Sequence, residues 1–147
     1  MIFSKENFEK SVNRLLSKPN NCGIDGILVS EFADYWKLNE EKILSILREG
    51  KYKPSAVLLE EMVFKKGKKR LISKYTCTDR VIQDVLKNKV MTMYKEKASK
   101  YSFAYIPDRG VHEAVQYAAA LIESGKKFVA EIDVKDFFGN INLQRLE

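Results

Sequence analysis

The chain has 147 residues, 45% of them hydrophobic and 31% charged. That is enough for one domain with a real core and too apolar for a disordered segment. Lys and Arg number 26 against 20 Asp and Glu, and the resulting net charge of +6 favours a polyanionic partner. No apolar run approaches the length of a membrane span, and the N-terminus MIFSKENFEK has no signal-peptide core. The two cysteines, Cys22 and Cys77, form no Cys-x-x-Cys, so the expectation is two reduced thiols in a cytoplasmic protein rather than a zinc site or a disulfide scaffold.

Ser4 is placed to cap a helix from about Lys5 to Ser17, with Phe8, Val12, Leu15 and Leu16 on one face. Pro19-Asn20-Asn21 ends it, and NNCGIDG follows. A loop with two glycines around Ile24 and Asp25 can lay backbone N–H groups against a phosphate or simply turn a corner. Ser30 is expected to cap a second helical region. Its apolar residues are Phe32, Tyr35, Trp36, Ile43, Leu44, Ile46 and Leu47, and Gly50 is its stop. KYKP, Lys51 to Pro54, reads as a connector, because Pro54 disfavours helix at Lys53.

From Ala56 the period changes. VLLEEMVF and RLISKY read as two strands joined by a basic turn around Gly67. Five of the six residues from Lys65 to Arg70 are basic. They form either a solvated hairpin tip, guarded against edge aggregation by its charge, or a phosphate clamp in which Arg70 has the better-shaped grip. Thr78 starts a long helix to about Ala98, with Val81, Ile82, Val85, Leu86, Val90 and Met93 as the buried stripe.

The loop KYSFAYIPDRG alternates Tyr101, Phe103 and Tyr105, which can pack as core or stack on bases, with core favoured for at least two. Arg109 is its prominent base. A helix from about Val111 to Ser124 is predicted to turn Ala114, Val115, Ala118 and Leu121 inward, and His112 at its start has no metal-spaced neighbours. Lys127 to Val134 then reads as a buried strand, with Glu131 and Asp133 on one face. A carboxylate ending an apolar strand either forms a turn or meets a cation, and a divalent metal is one such partner. Four helices, a hairpin and a terminal strand make the fold class α+β, mostly helical.

In order along the chain stand GIDG (Gly23 to Gly26), Tyr-x-Pro (Tyr52 to Pro54), KKGKKR, Asp79-Arg80-Val81 with Gln83, SFAYIPDRGVHEAV and IDVKDFFGNI. No one motif is specific, but six in this order resemble the N-terminal part of a reverse transcriptase, closest to the bacterial group II intron and retron-like branch. The resemblance covers roughly residues 20 to 147. It implies the fingers and first palm strand of a right-hand polymerase, with residues 1–126 as N-terminal helices and fingers (hairpin at about 56–75) and 127–147 as the start of the palm.

By the same resemblance, Asp133 is a catalytic, metal-binding carboxylate and Val134 offers its carbonyl to the same Mg²⁺. Lys65, Lys66 and Arg70 grip the dNTP triphosphate, and Phe138 packs under the incoming sugar. Gly23, Asp25, Gly26, Arg80 and Arg109 contact the RNA template and DNA primer. No membrane partner is implied, and a dimer is left open. Two positions depart from the family pattern: Asp136 and Gly139 stand where relatives often have Gly and Asp, respectively. The usual Gly-Phe-Arg-Pro is here Ala104-Tyr105-Ile106-Pro107, one arginine short. The family's Tyr-Ala-Asp-Asp hairpin is not in these 147 residues, so the expectation is that they are a fragment, inactive alone. The alternative is a non-catalytic RNA-binding module of the same fold, and the blander one a basic globular domain with a solvated hairpin tip.

Overall fold

The structure is a computed structural model and describes residues 2–64, 67 and 69–145. Helix α1 spans Lys5–Leu16, α2 Phe32–Arg48, strands β1 and β2 Leu58–Val63 and Lys69–Lys74, α3 Cys77–Lys97, and α4 Val111–Glu123. Among the described residues this is an α+β chain with four α-helices and one antiparallel hairpin. Residues 1–98 and 99–147 form two compact units. Among the described residues, no helix is long and apolar enough to cross a membrane.

In the first unit, Ser4 caps α1 as expected, its hydroxyl accepting the N–H of Asn7. Phe8, Val12 and Leu15 of α1 meet Phe32, Trp36, Ile43, Leu44 and Leu47 of α2 and Val81, Ile82 and Val85 of α3 in one core. The Phe8 and Trp36 rings stack at 5.4 Å. Ser30 does not cap α2: it lies inside a 3₁₀ turn, Val29–Glu31, that leads into the helix, and its N–H is spent on the Asn20 side chain. Gly50 does stop α2, at φ +68, a conformation that favours glycine.

Strand pairing runs from Leu58 with Lys74 to Val63 with Lys69, and Gly67 turns the hairpin at φ +74. Glu61 and Glu60 pair with Lys69 and Lys74 across the strands. Most hairpin side chains are exposed on both faces, so it projects as a finger rather than a wall of the core. A two-stranded ribbon has little stability of its own. Its rigidity must come from its root.

The α3 stripe is buried only as far as Val85, and Leu86, Val90 and Met93 are exposed. Periodicity marks an apolar face, but burial needs a neighbour: Val81, Ile82 and Val85 join the core with α1 and α2, and Leu86, Val90 and Met93 do not.

In the second unit the differences are larger. None of Ala114, Val115, Ala118 and Leu121 of α4 is buried. The expected strand at 127–134 has no regular secondary structure, with Phe128 98% and Ile132 89% exposed. A strand is made by its neighbours, which supply its backbone hydrogen bonds. Among the described residues β1 and β2 are the only strands, and they pair with each other. The aromatic loop packs as expected in two of three cases: Tyr101 and Phe103 lie against Tyr117 at 5.4 and 5.9 Å, while Tyr105 is fully outward.

Candidate nucleic-acid interface

Gly23 and Gly26 do different jobs in the GIDG loop. The N–H of Gly26 closes a turn on the carbonyl of Gly23 at 3.2 Å, with Gly26 at φ +71. Gly23 is buried, and a Cβ there would stand 2.5 Å from the backbone nitrogen of Thr76 and 2.6 Å from its Cα. Only glycine lets the loop lie this close to the start of α3. The Asp25 carboxylate accepts the N–H of Ile27 at 3.3 Å, and the Cys77 thiol donates to the Ile27 carbonyl at 3.5 Å. Burial pushes the Cys77 thiol pKa up, so it stays protonated.

Arg80, one turn into α3, donates from Nη1 to the Asn21 side-chain oxygen at 2.6 Å. Loop and arginine thus border one groove of about 440 Å³, whose opposite wall is the hairpin through Glu60, Met62, Ile72 and Lys74. Residues directly opposite in an antiparallel pair share a face. Met62 pairs with Arg70 and Glu60 with Ile72, so Arg70 stands on the hairpin face that forms this wall, nearer the tip. Its guanidinium lies over the Phe64 ring at 5.4 Å, which holds the fork without consuming its charge. Arg80 and the Asn21–Cys22 stretch line the groove, and Arg70 stands on the hairpin face of its opposite wall; Gly23, Asp25 and Gly26 follow in the same loop and are not among its lining residues. Lys65 and Lys66 lie outside the described residues.

The hairpin root is held by a group that the sequence reading did not single out as a site residue. Asp79 is 3% exposed. Its carboxylate accepts the Tyr52 hydroxyl at 2.8 Å, the Ser55 N–H at 3.1 Å and the Thr76 hydroxyl at 2.7 Å. Ser55 precedes β1 and Thr76 follows β2, so one carboxylate ties both ends of the finger. Burial, then the hydrogen bond to Asp79, raises the Tyr52 pKa well above its ordinary value. The helix start expected at Thr78 falls at Cys77, capped by Thr76, whose hydroxyl accepts the Asp79 N–H. The Tyr52 and Ser55 contacts, across more than twenty residues, were not legible in the sequence.

In the second unit, Arg109 donates from Nη1 to the carbonyls of Ser99 and Ser102 at 2.7 and 3.1 Å. Through Nη1 it staples its own loop. Asp133 and Val134 lie on the exposed segment 127–134. Phe138 is exposed, edge-to-face with Phe137 at 5.3 Å. Asp136 sits at φ +47, a region where glycine is at home, and its carboxylate occupies the space over Gly139: a Cβ on Gly139 would fall within 2.8 Å of both Asp136 oxygens. The exchange of Gly and Asp between these two positions is therefore one coupled change. Among the described residues no three His, Cys, Asp or Glu side chains converge on a metal position. Asp133 is open enough to serve as one ligand of a cation, and these residues do not complete a site.

The sequence profile of the family described as "Reverse transcriptase (RNA-dependent DNA polymerase)" matches residues 53–147, more than half of the chain. The chain belongs to the reverse transcriptase family. The matched span includes the hairpin, Asp79, Arg80 and Asp133, and the GIDG loop and α1 lie ahead of it. Reverse transcriptases in general are nucleotidyltransferases that use divalent ions, an RNA template, a primer and dNTPs. No curated protein matches the chain.

Proposed function

We propose that this reverse transcriptase segment provides the fingers and the first palm strand of an RNA-directed DNA polymerase, of the branch that includes group II intron and retron enzymes. The observation that carries the reading is the groove between Arg80, with the Asn21–Cys22 stretch that leads into the GIDG loop, and the Arg70 face of the hairpin. Arg80 and the loop's backbone meet template phosphates, a contact that positions the strand without reading its bases. Arg70, with Lys65 and Lys66, receives the triphosphate of the incoming dNTP. Phe138 packs under its sugar and disfavours a 2′-hydroxyl.

Asp133 and the Val134 carbonyl are this chain's share of a Mg²⁺ site, whose remaining acids come from elsewhere in the polymerase. Bound Mg²⁺ supplies activation of the primer 3′-hydroxyl and neutralisation of the leaving pyrophosphate. The 147 residues by themselves are expected to be inactive in synthesis. A non-catalytic RNA-binding module would use the same groove, and nucleotide incorporation by a polypeptide that carries these residues with a complete set of metal-binding acids separates the two.

The test of the groove is equilibrium binding of an RNA template annealed to a DNA primer. Arg80→Ala should weaken binding and reduce the salt slope by about 1, while Arg70→Ala should leave binding of the primed template near wild type and weaken binding of the incoming dNTP to it. Unchanged affinity and slope in Arg80→Ala would remove the groove from the account.

A further inference from the structure

Arg70 stands opposite Met62, so its diagonal neighbours on the facing side of the hairpin are Glu60 toward the root and Phe64 toward the tip. One is a carboxylate and the other a ring, and the guanidinium goes to the ring, at 5.4 Å from its centre. The reason lies one register step away. Glu60 stands opposite Ile72, so its own diagonal neighbours are Arg70 and Lys74, and it pairs with Lys74. On the other face of the ribbon Glu61 pairs with Lys69 at 2.8 Å. Both acids of the hairpin are thus held by lysines, and among the described residues Arg70 takes no ion pair. Phe64 is itself fixed where the turn begins, its carbonyl accepting the N–H of Gly67 at 3.1 Å.

We infer that Phe64 and Lys74 are positioning residues for Arg70: Phe64 seats the guanidinium, and Lys74 occupies the neighbouring carboxylate that would otherwise capture it. The inference rests on the reading of Arg70 as the residue that receives the dNTP triphosphate. A guanidinium stacked on a ring offers the ring its face and keeps its N–H donors in the plane, free for phosphate oxygens. A carboxylate would take those same donors, because its bidentate pair with arginine uses the parallel N–H groups of the fork. Glu60 is within diagonal reach, so the ring keeps the guanidinium only while Lys74 holds Glu60. A pair at this surface adds little to stability. Its effect is on which partner Arg70 meets.

The test is steady-state dNTP incorporation at saturating primed poly(rA), by a polypeptide that carries these residues with a complete set of metal-binding acids. Arg70→Ala should raise KM for the dNTP by about ten-fold or more. Phe64→Leu should raise it about three- to five-fold with kcat within about two-fold of wild type, and Phe64→Tyr, which keeps a ring, should not. Lys74→Met should also raise KM. Adding Glu60→Gln should restore it, while adding Glu61→Gln, of equal charge on the other face, should not. In an Arg70→Ala background neither Phe64→Leu nor Lys74→Met should raise KM further. Amide exchange in β1 and β2 should stay as in wild type, which separates positioning from a weakened hairpin. An effect of Arg70→Ala with none from Phe64→Leu or Lys74→Met would overturn the inference and leave the reading of Arg70 standing. No effect of Arg70→Ala on KM would overturn both. Rescue by Glu61→Gln equal to that by Glu60→Gln would trace the change to net charge and overturn the role of Lys74.

Discussion

The carboxylate of Asp79 accepts the backbone N–H of Ser55 at 3.1 Å, the residue from which the hairpin departs. The same carboxylate holds Thr76, where the hairpin returns, and Tyr52 in the connector. Asp79→Ala would leave three donors without their acceptor in a buried place. The expected loss is roughly 3 kcal/mol of stability in urea unfolding, against about 1 kcal/mol for Tyr52→Phe. Amide exchange in β1 and β2 should quicken in Asp79→Ala before the α1–α2 core is affected. A loss confined to global stability, with hairpin exchange unchanged, would mean that the finger is not anchored here.

The two glycines of the GIDG loop should respond unequally to alanine. Gly23→Ala drives a Cβ into the Thr76 backbone, which cannot yield as a flexible side chain would, and should cost about 2–3 kcal/mol and detach the loop from α3. Gly26→Ala meets open space and pays only for φ +71, about 1 kcal/mol. Thermal unfolding of the pair gives the order, and equal losses would contradict the close approach.

Asp84 joins α1 to α3 through Arg14, at 2.8 Å from Nε and 2.5 Å from Nη2. Partial burial pushes its pKa up, and hydrogen bonds from Lys87, Ser11 and Arg14 outweigh that and lower it to about 2. A depressed folded pKa means stabilisation that is complete above the unfolded value near 4 and is lost as pH falls through about 2. Screening at the surface limits it to roughly 1 kcal/mol. Urea midpoints measured from neutral pH down to this window should fall less steeply in Asp84→Asn than in wild type; parallel curves would show that the contact is not formed.

Asp136 and Gly139 should be coupled, with Gly139 replaceable only once the Asp136 side chain is gone. Gly139→Asp alone sets two side chains in one space, while Asp136→Gly alone relieves a left-handed residue. Amide exchange at Asn140, whose N–H bonds the Asp136 carbonyl at 3.1 Å, should quicken in the first and slow in the second. The double exchange should return it close to wild type. Additive effects would show that the two positions are independent.

The sequence was most legible where a segment carries its own partners. Ser4, Gly50 and Gly67 are local devices, and each boundary they mark is near its expected place; the start of α3, expected at Thr78, is set by Thr76. Apolar periodicity was a poorer guide to burial, because it reports a face and not what covers it. Val81, Ile82 and Val85 join the core with α1 and α2, while Leu86, Val90 and Met93 stay outside it. The segment 127–134 has strand residues without strand neighbours. In the groove, glycine spacing pointed to the loop and Asp-Arg-Val to Arg80. That Asn21 would hold Arg80, and that Asp79 would hold the finger, depends on distant contacts that no local pattern encodes.

The central claim is that Asp133 belongs to the catalytic metal site of an RNA-directed DNA polymerase. It is tested most directly in a polypeptide that carries these residues together with the downstream metal-binding acids, by dNTP incorporation on a primed poly(rA) template. Asp133→Asn should abolish incorporation, by about a thousand-fold or more, while affinity for the primed template stays within about two-fold of wild type. Incorporation that survives Asp133→Asn would contradict the assignment.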